Sequence, residues 1–200
     1  MTTSAAARSA LTEFFDRVAA GPRRPVLTAV VFAVTLACGI AQLVHPPLYD
    51  AMHRDAARID AGEWYRLVTG MFFQDGGALG LVFNLLTLAV VGRFAERVFG
   101  RGRWLLLYFG CGLFGQVMSY LWLSPVGAGN SMCVAGLLGG LTAVVMAASR
   151  RYGVELPVRF RIMAFAVPVL AVVGTVLGDN HGLPALLGLA LAFPGLPRRS

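Results

Sequence analysis

Lysine is absent from the chain, and charged residues of every kind make up only 14% of its 200 positions. A soluble domain of this size carries about a quarter of its residues as charges, so a water-soluble globular fold is excluded. Acids are scarce too: ten Asp and Glu stand against seventeen Arg, for a net charge of +7. The arginines fall beside the ends of apolar runs, so the basic excess needs no nucleic-acid partner. Cysteine and histidine number three each. Cys38, Cys111 and Cys133 lie inside apolar runs, have no CxxC spacing and are odd in number. They read as small buried hydrophobes and argue against a disulfide framework. With two loop histidines, His45 and His53, they make no ligand set, and neither a metal nor a cofactor is expected. An internal repeat and acids in mid-span, the marks of a transporter, are also missing; Asp75 and Asp179 fall at span ends. The start lacks a clean secretory leader, since Glu13 and Asp16 interrupt the n-region and the following apolar run is too long.

What the chain does have is apolar length. It is 57% hydrophobic, with a mean hydropathy of +0.70, and several runs approach the ~20 residues that cross a hydrocarbon layer. Six spans can be read: 25–44, 78–94, 104–123, 131–148, 162–177 and a short one over 181–193. Pro25 suits a first helical position, and His45-Pro46-Pro47 ends the first span. Pro168 is expected to kink the fifth. Residues 45–72 mix acids with Trp64, Tyr65 and aliphatics, the composition of a segment lying at a membrane interface. Around Glu96, Arg93, Arg97, Arg101 and Arg103 predict a short turn. Fourteen of the seventeen arginines fall in the first and last segments and the second and fourth connections. By the positive-inside rule both termini are cytoplasmic. The reading is an all-α polytopic membrane protein of the cell membrane, specifically a bacterial inner membrane. Residues 1–24 form a cytoplasmic tail, 25–195 a six-helix domain and 196–200 a second tail. Leu11, Phe14, Phe15 and Val18 in the first tail allow either a short amphipathic helix or an unstructured start.

This topology puts Ser131, His181 and Asn84 in one leaflet, each near the outer end of a different span. A serine becomes a nucleophile when a neutral imidazole takes its proton, and an amide donor can stabilise the resulting oxyanion. These are the parts of a Ser–His hydrolase without a third acid. Taken singly, Ser131 reads as a helix cap, His181 as a cap or interface residue, and Asn84 as helix–helix glue. Gly136 and Gly140 form a GxxxG, which lets a neighbouring helix approach closely.

Residues 25–195 resemble the rhomboid intramembrane serine proteases. The resemblance rests on Trp64-Tyr65-Arg66, on Asn84 at the end of an HxxxN motif, and on Glu96, Arg97 and Gly100 in the following turn. Gly129-Asn130-Ser131 with Gly136 to Gly139 is similar to GxSG and its following glycines, and His181 with Gly188 to AHxxGxxxG. It implies a dyad of Ser131 as nucleophile and His181 as general base. It also implies an oxyanion and substrate-binding region that involves Asn84, the Ser131 amide, the His181 side chain, Gly129 and Met132. Transmembrane helices of other proteins would be cut near their outer ends, within the lipid bilayer. The chain departs from the pattern in four places. Met132 stands for the last glycine of GxSG and is expected to crowd the nucleophile. Gly80 replaces the histidine of HxxxN, and Asp75 an earlier histidine. Pro184 replaces the first glycine after His181, which is expected to loosen the packing of the fourth and sixth helices. These departures also support a rhomboid-like pseudoprotease that binds helices without cutting them.

Overall fold

A computed structural model describes residues 24–152 and 158–192. The expected amphipathic start, the turn around Gly153 and Pro157, and the chain from Phe193 onward lie outside the described residues. The fold is mostly helical. Helix α1 (Val26–Val44) is followed by three short helices, α2 (Pro47–Met52), α3 (Ala56–Asp60) and α4 (Arg66–Thr69). Next come α5 (Gly77–Thr87), α6 (Arg93–Leu105), α7 (Cys111–Met118), α8 (Ser131–Tyr152), α9 (Val158–Val176) and α10 (Gly182–Ala192). Five-residue π-helical turns, Leu88–Gly92 and Leu106–Gly110, join α5 to α6 and α6 to α7, and a third, Ser119–Leu123, extends α7. Two-residue strands β1 (Arg54–Asp55) and β2 (Val126–Gly127) pair antiparallel, Arg54 opposite Gly127.

Two helical stretches, Val26–Val44 and Gly77–Leu123, are long and apolar enough to cross a membrane. Shorter apolar helices cover Ser131–Ala147, Phe160–Val176 and Gly182–Ala192. The expected arginine-rich turn is not a loop. Helical geometry runs through Arg97 and resumes at Arg101, and the break is Gly100 alone, at φ 70° and ψ 176°. That backbone region is open essentially to glycine only, so one residue does the work of a turn. Pro168 lies inside α9, and the helix continues on both sides of it.

The core gathers Val31, Leu88, Ala95, Trp104, Leu107, Tyr108, Cys111, Cys133 and Leu137 from α1, the α5–α7 run and α8. Leu79, Phe83, Phe165, Leu170 and Leu177 face outward instead. Such apolar exteriors cost free energy in water and none against lipid. Small residues let α8 sit at the centre. A methyl group at Gly136 would lie 2.3 Å from Cys111 Cβ, one at Gly139 1.9 Å from the Ala185 carbonyl oxygen, and one at Gly188 2.0 Å from the Gly136 carbonyl oxygen. The backbones of α8 and α10 therefore touch, as a small-residue interface permits.

The start of α1 has no cap of its own. Glu96 supplies it from α6. Its carboxylate accepts the Leu27 amide at 3.0 Å, the Thr28 amide at 2.9 Å and the Thr28 hydroxyl at 2.8 Å. A helix N-terminus offers unpaired N–H groups and a positive dipole end, and a carboxylate satisfies both. Glu96 is fully buried. Glu96→Ala is expected to cost about 1–3 kcal/mol, because buried donors lose their acceptor. The thermal midpoint in detergent measures this, and an unchanged midpoint would show that the cap is dispensable.

Candidate active site

The site forms where α5, α8 and α10 begin. Gly76 and Gly77 take φ of 74° and 60° to start α5, and Asn84 follows along that helix. The loop before α8 is fixed at four points. Ala56 N donates to the Pro125 carbonyl at 3.0 Å, and Gly129 N to the Gly70 carbonyl at 2.8 Å. Ala128 N donates to Asp75 Oδ2 at 2.9 Å. Arg54, 1% exposed, donates to the Ser124 carbonyl at 3.0 Å and to Gln116 Oε1. Arg66 braces the long connection from within, donating to the carbonyls of Asp50 at 2.9 Å and His53 at 3.0 Å and to Glu63 at 2.6 Å. Trp64 and Tyr65 stay exposed, while Tyr120 of the third π turn donates to Asp60 at 2.5 Å. The connection is thus folded onto the helices by buried arginines.

Ser131 opens α8, and His181 immediately precedes α10. Ser131 Oγ and His181 Nε2 are 2.8 Å apart, within the reach a nucleophile–base pair requires. Asn84 shares their cavity of about 240 Å³, together with Arg54, Asp75, Met132 and Asn180. Asn84 Nδ2 donates to Gln74 Oε1 at 2.6 Å. Gln74 is held in turn by Gln42, which accepts from its amide at 2.8 Å and donates to its carbonyl at 2.7 Å. Gly129 has φ of 145°, and a methyl group on it would sit 3.4 Å from Ser131 Oγ and 3.5 Å from Asn84 Nδ2. Its missing side chain keeps open the space between the hydroxyl and the amide.

Met132 does not wedge between the pair. It is 3% exposed, and its sulfur lies 3.6 Å from Ser119 Oγ, in the room left by Gly115. Pro184 does not separate α8 from α10 either. It packs over the same Gly115, and Ala185 N still closes the first turn onto the His181 carbonyl at 3.2 Å. The crowding expected of Met132 and the loosening expected of Pro184 do not occur, because α7 yields a glycine, Gly115, opposite both side chains. Gly80 is required locally: a Cβ there would lie 1.9 Å from the Asp75 carbonyl oxygen.

Asp179 carries a contact that its position at a span end did not reveal. Its two carboxylate oxygens lie 3.1 and 3.0 Å from His181 Nδ1. Burial pushes this carboxyl up, but hydrogen bonds from the His181 ring and backbone outweigh it and hold the group below the usual carboxylate range. Sequence reasoning also missed Gln74 and Gln42. Their one legible signal was a pair of amides at the edges of apolar runs. Among the described residues, no three His, Cys, Asp or Glu side chains gather as a metal ion would need.

A mostly helical fold with lipid-compatible surfaces, which brings a serine and a histidine together at one end of its helices, defines a class: helical membrane proteins. The rhomboid domain profile matches residues 61–196. The chain is 31% identical over 154 residues to the rhomboid protease GluP of Bacillus subtilis (strain 168), covering 72% of this chain and 29% of GluP. It is 32% identical over 109 residues to YdcA of the same organism, covering 53% and 54%. To the RHOMBOID-like protein 4 of Arabidopsis thaliana it is 31% identical over 132 residues, covering 66% and 30%. The chain thus spans roughly a third to a half of the length of these relatives. It belongs to the rhomboid family, whose members are integral membrane proteins.

Proposed function

We propose that the chain is an intramembrane serine endopeptidase that cuts transmembrane segments of other membrane proteins near the outer leaflet. The observation that carries this reading is the 2.8 Å contact between Ser131 Oγ and His181 Nε2. In the proposed reaction His181 Nε2 takes the hydroxyl proton as Ser131 Oγ attacks the scissile carbonyl carbon. The carbonyl electrons move to oxygen, and the Asn84 amide and the Ser131 backbone N–H stabilise the charge. His181 then returns the proton to the departing amine, the C–N bond breaks, and an acyl-serine remains. Water, deprotonated by the same imidazole, releases the new carboxylate and restores Ser131. Gly129 leaves space for the substrate carbonyl, and Met132 forms part of the wall. The proposed topology is six spans with both ends cytoplasmic, in the cell membrane of a bacterium. The arginine distribution supports it. Residues 25–195 form the membrane domain, flanked by short cytoplasmic tails.

The test is reconstitution in liposomes with a fluorophosphonate probe and a panel of single-span substrates. An adduct mapped to Ser131 by peptide mass spectrometry, with cleavage near the outer end of a substrate helix, supports the protease. Binding of helices with neither adduct nor cleavage, where an active rhomboid reacts, would establish the pseudoprotease instead. Restoring the family histidine is expected to harm this enzyme. Gly80→His should lower cleavage by at least about tenfold, because its Cβ displaces the Asp75 backbone and so the Asp75–Ala128 bond beside the nucleophile. A gain in rate would show that the position tolerates the second donor after all.

A further inference from the structure

We infer that Asp179 is a positioning residue for His181, holding the ring of the Ser131–His181 pair in the tautomer and orientation that the reaction needs. The inference rests on the protease reading for its kinetic consequence, though not for its geometry. Three observations carry it. The first is contact: both Asp179 carboxylate oxygens reach His181 Nδ1, at 3.1 and 3.0 Å, on the opposite edge of the ring from Ser131. A carboxylate accepts only, so this contact places a proton on Nδ1 and leaves the Nε2 lone pair for the Ser131 hydroxyl.

The second is that the carboxylate is itself held. Helix α9 ends with Gly178 at φ 86°. Gly178 N bonds back to the Thr175 carbonyl at 3.1 Å and Asp179 N to the Gly174 carbonyl at 2.8 Å. This pair of bonds is a Schellman closure, which fixes the residue after the glycine. The Asp179 side chain then accepts the His181 backbone amide at 2.8 Å. One residue thus ties the end of α9 to the start of α10 and orients the ring between them.

The third is the company in the cavity. Arg54 and Asp75 line it, while Asp179 lies behind the His181 ring. Arg54 is engaged by Gln116 and the Ser124 carbonyl, and Asp75 by Tyr49 and the Ala128 amide. Among the described residues, Asp179 is the carboxylate given to the imidazole.

The competing reading is that Asp179 merely caps α10. Serine separates the two roles, because its short side chain can cap the His181 amide but falls short of the ring. Asp179→Ser is expected to keep the thermal midpoint and KM, while kcat falls about tenfold. A fully buried aspartate behind the histidine of a serine hydrolase is worth far more, about 10⁴-fold. Here the side chains of His181 and Asp179 are 44% and 50% exposed, and solvent weakens the pair. Asp179→Asn, whose amide N–H₂ can donate to Nδ1 and favour the unproductive tautomer, should lose at least as much as serine. Nitrogen-15 spectra of His181 supply a readout that needs no turnover. Wild type should hold the Nδ1–H tautomer, and Asp179→Ser should shift toward Nε2–H. Wild-type kcat and tautomer in Asp179→Ser would overturn the inference. An inactive wild type whose His181 keeps the Nδ1–H form and loses it in Asp179→Ser would defeat the protease reading and leave the positioning role standing.

Discussion

Alanine at Ser131 or at His181 is expected to lower hydrolysis of a membrane helix by about 10⁴-fold or more, and alanine at both to lower it no further. In the proposed mechanism the two side chains perform one step between them. The Ser131 hydroxyl is a poor nucleophile until its proton has somewhere to go, and His181 Nε2, 2.8 Å away, is where it goes. Remove either and the attack loses its base or its attacking atom, so a second deletion has nothing left to remove. The residual rate would come from Asn84 and the backbone donors, which still bind an oxyanion. The measurement is a double-mutant cycle on initial rates in liposomes, with thermal midpoints as a check on folding. Additive losses would mean that the two residues act independently and that the hydrogen bond between them is incidental. Retained activity in Ser131→Ala would place the nucleophile elsewhere.

A single methyl group far from the cavity is also expected to cost activity. In Gly139→Ala the new Cβ would lie 1.9 Å from the Ala185 carbonyl oxygen and 3.0 Å from Leu189 N. Neither atom belongs to a flexible side chain, so the two helices must move apart. Ser131 begins α8 and His181 precedes α10, and their separation is set by how closely those helices run. Displacing a reacting group by about 1 Å can cost about 10²-fold in rate, and we expect a loss of that order in kcat. Gly140→Ala is the control, because its Cβ would meet the side chains of Leu107 and Phe99, which can give way. It should retain most of the activity. Equal losses in the two variants would point to general destabilisation of α8, and no loss in Gly139→Ala would show that the pair does not depend on this contact.

The apolar runs were enough to expect a helical fold, and the described residues are mostly helical. Hydrophobic length is written locally and survives folding. The GxxxG of Gly136 and Gly140 also predicted a close approach, but not its division of labour: Gly136 meets Cys111, while Gly139 and Gly188 bring α8 onto α10. Ser131, His181 and Asn84 could be gathered from topology alone, since each lies near the start of a span on the same side. The supporting residues could not. Arg54 and Gln116 are 62 positions apart, and Gln42 and Gln74 are 32 apart; nothing local in sequence predicts either pairing. Asp179 failed for the opposite reason. It is only two residues from His181, but the contact depends on how α9 closes, and that is a matter of backbone geometry. Crowding by Met132 and loosening by Pro184 were inferred from those residues alone, whereas the outcome depended on Gly115 on a third helix.

The cap on α1 has a consequence for how the molecule is made. Helix α1 is synthesised before its cap, since the acceptor for its opening amides is Glu96, 68 to 69 residues further along. A nascent chain that has delivered α1 but not α6 therefore carries a helix whose leading end is electrically unfinished. That end must stay where water or headgroups can serve it until α6 has arrived. The carboxylate then travels in with its own partners waiting, and the first helix is locked in retrospect, by a residue that did not yet exist when it left the ribosome.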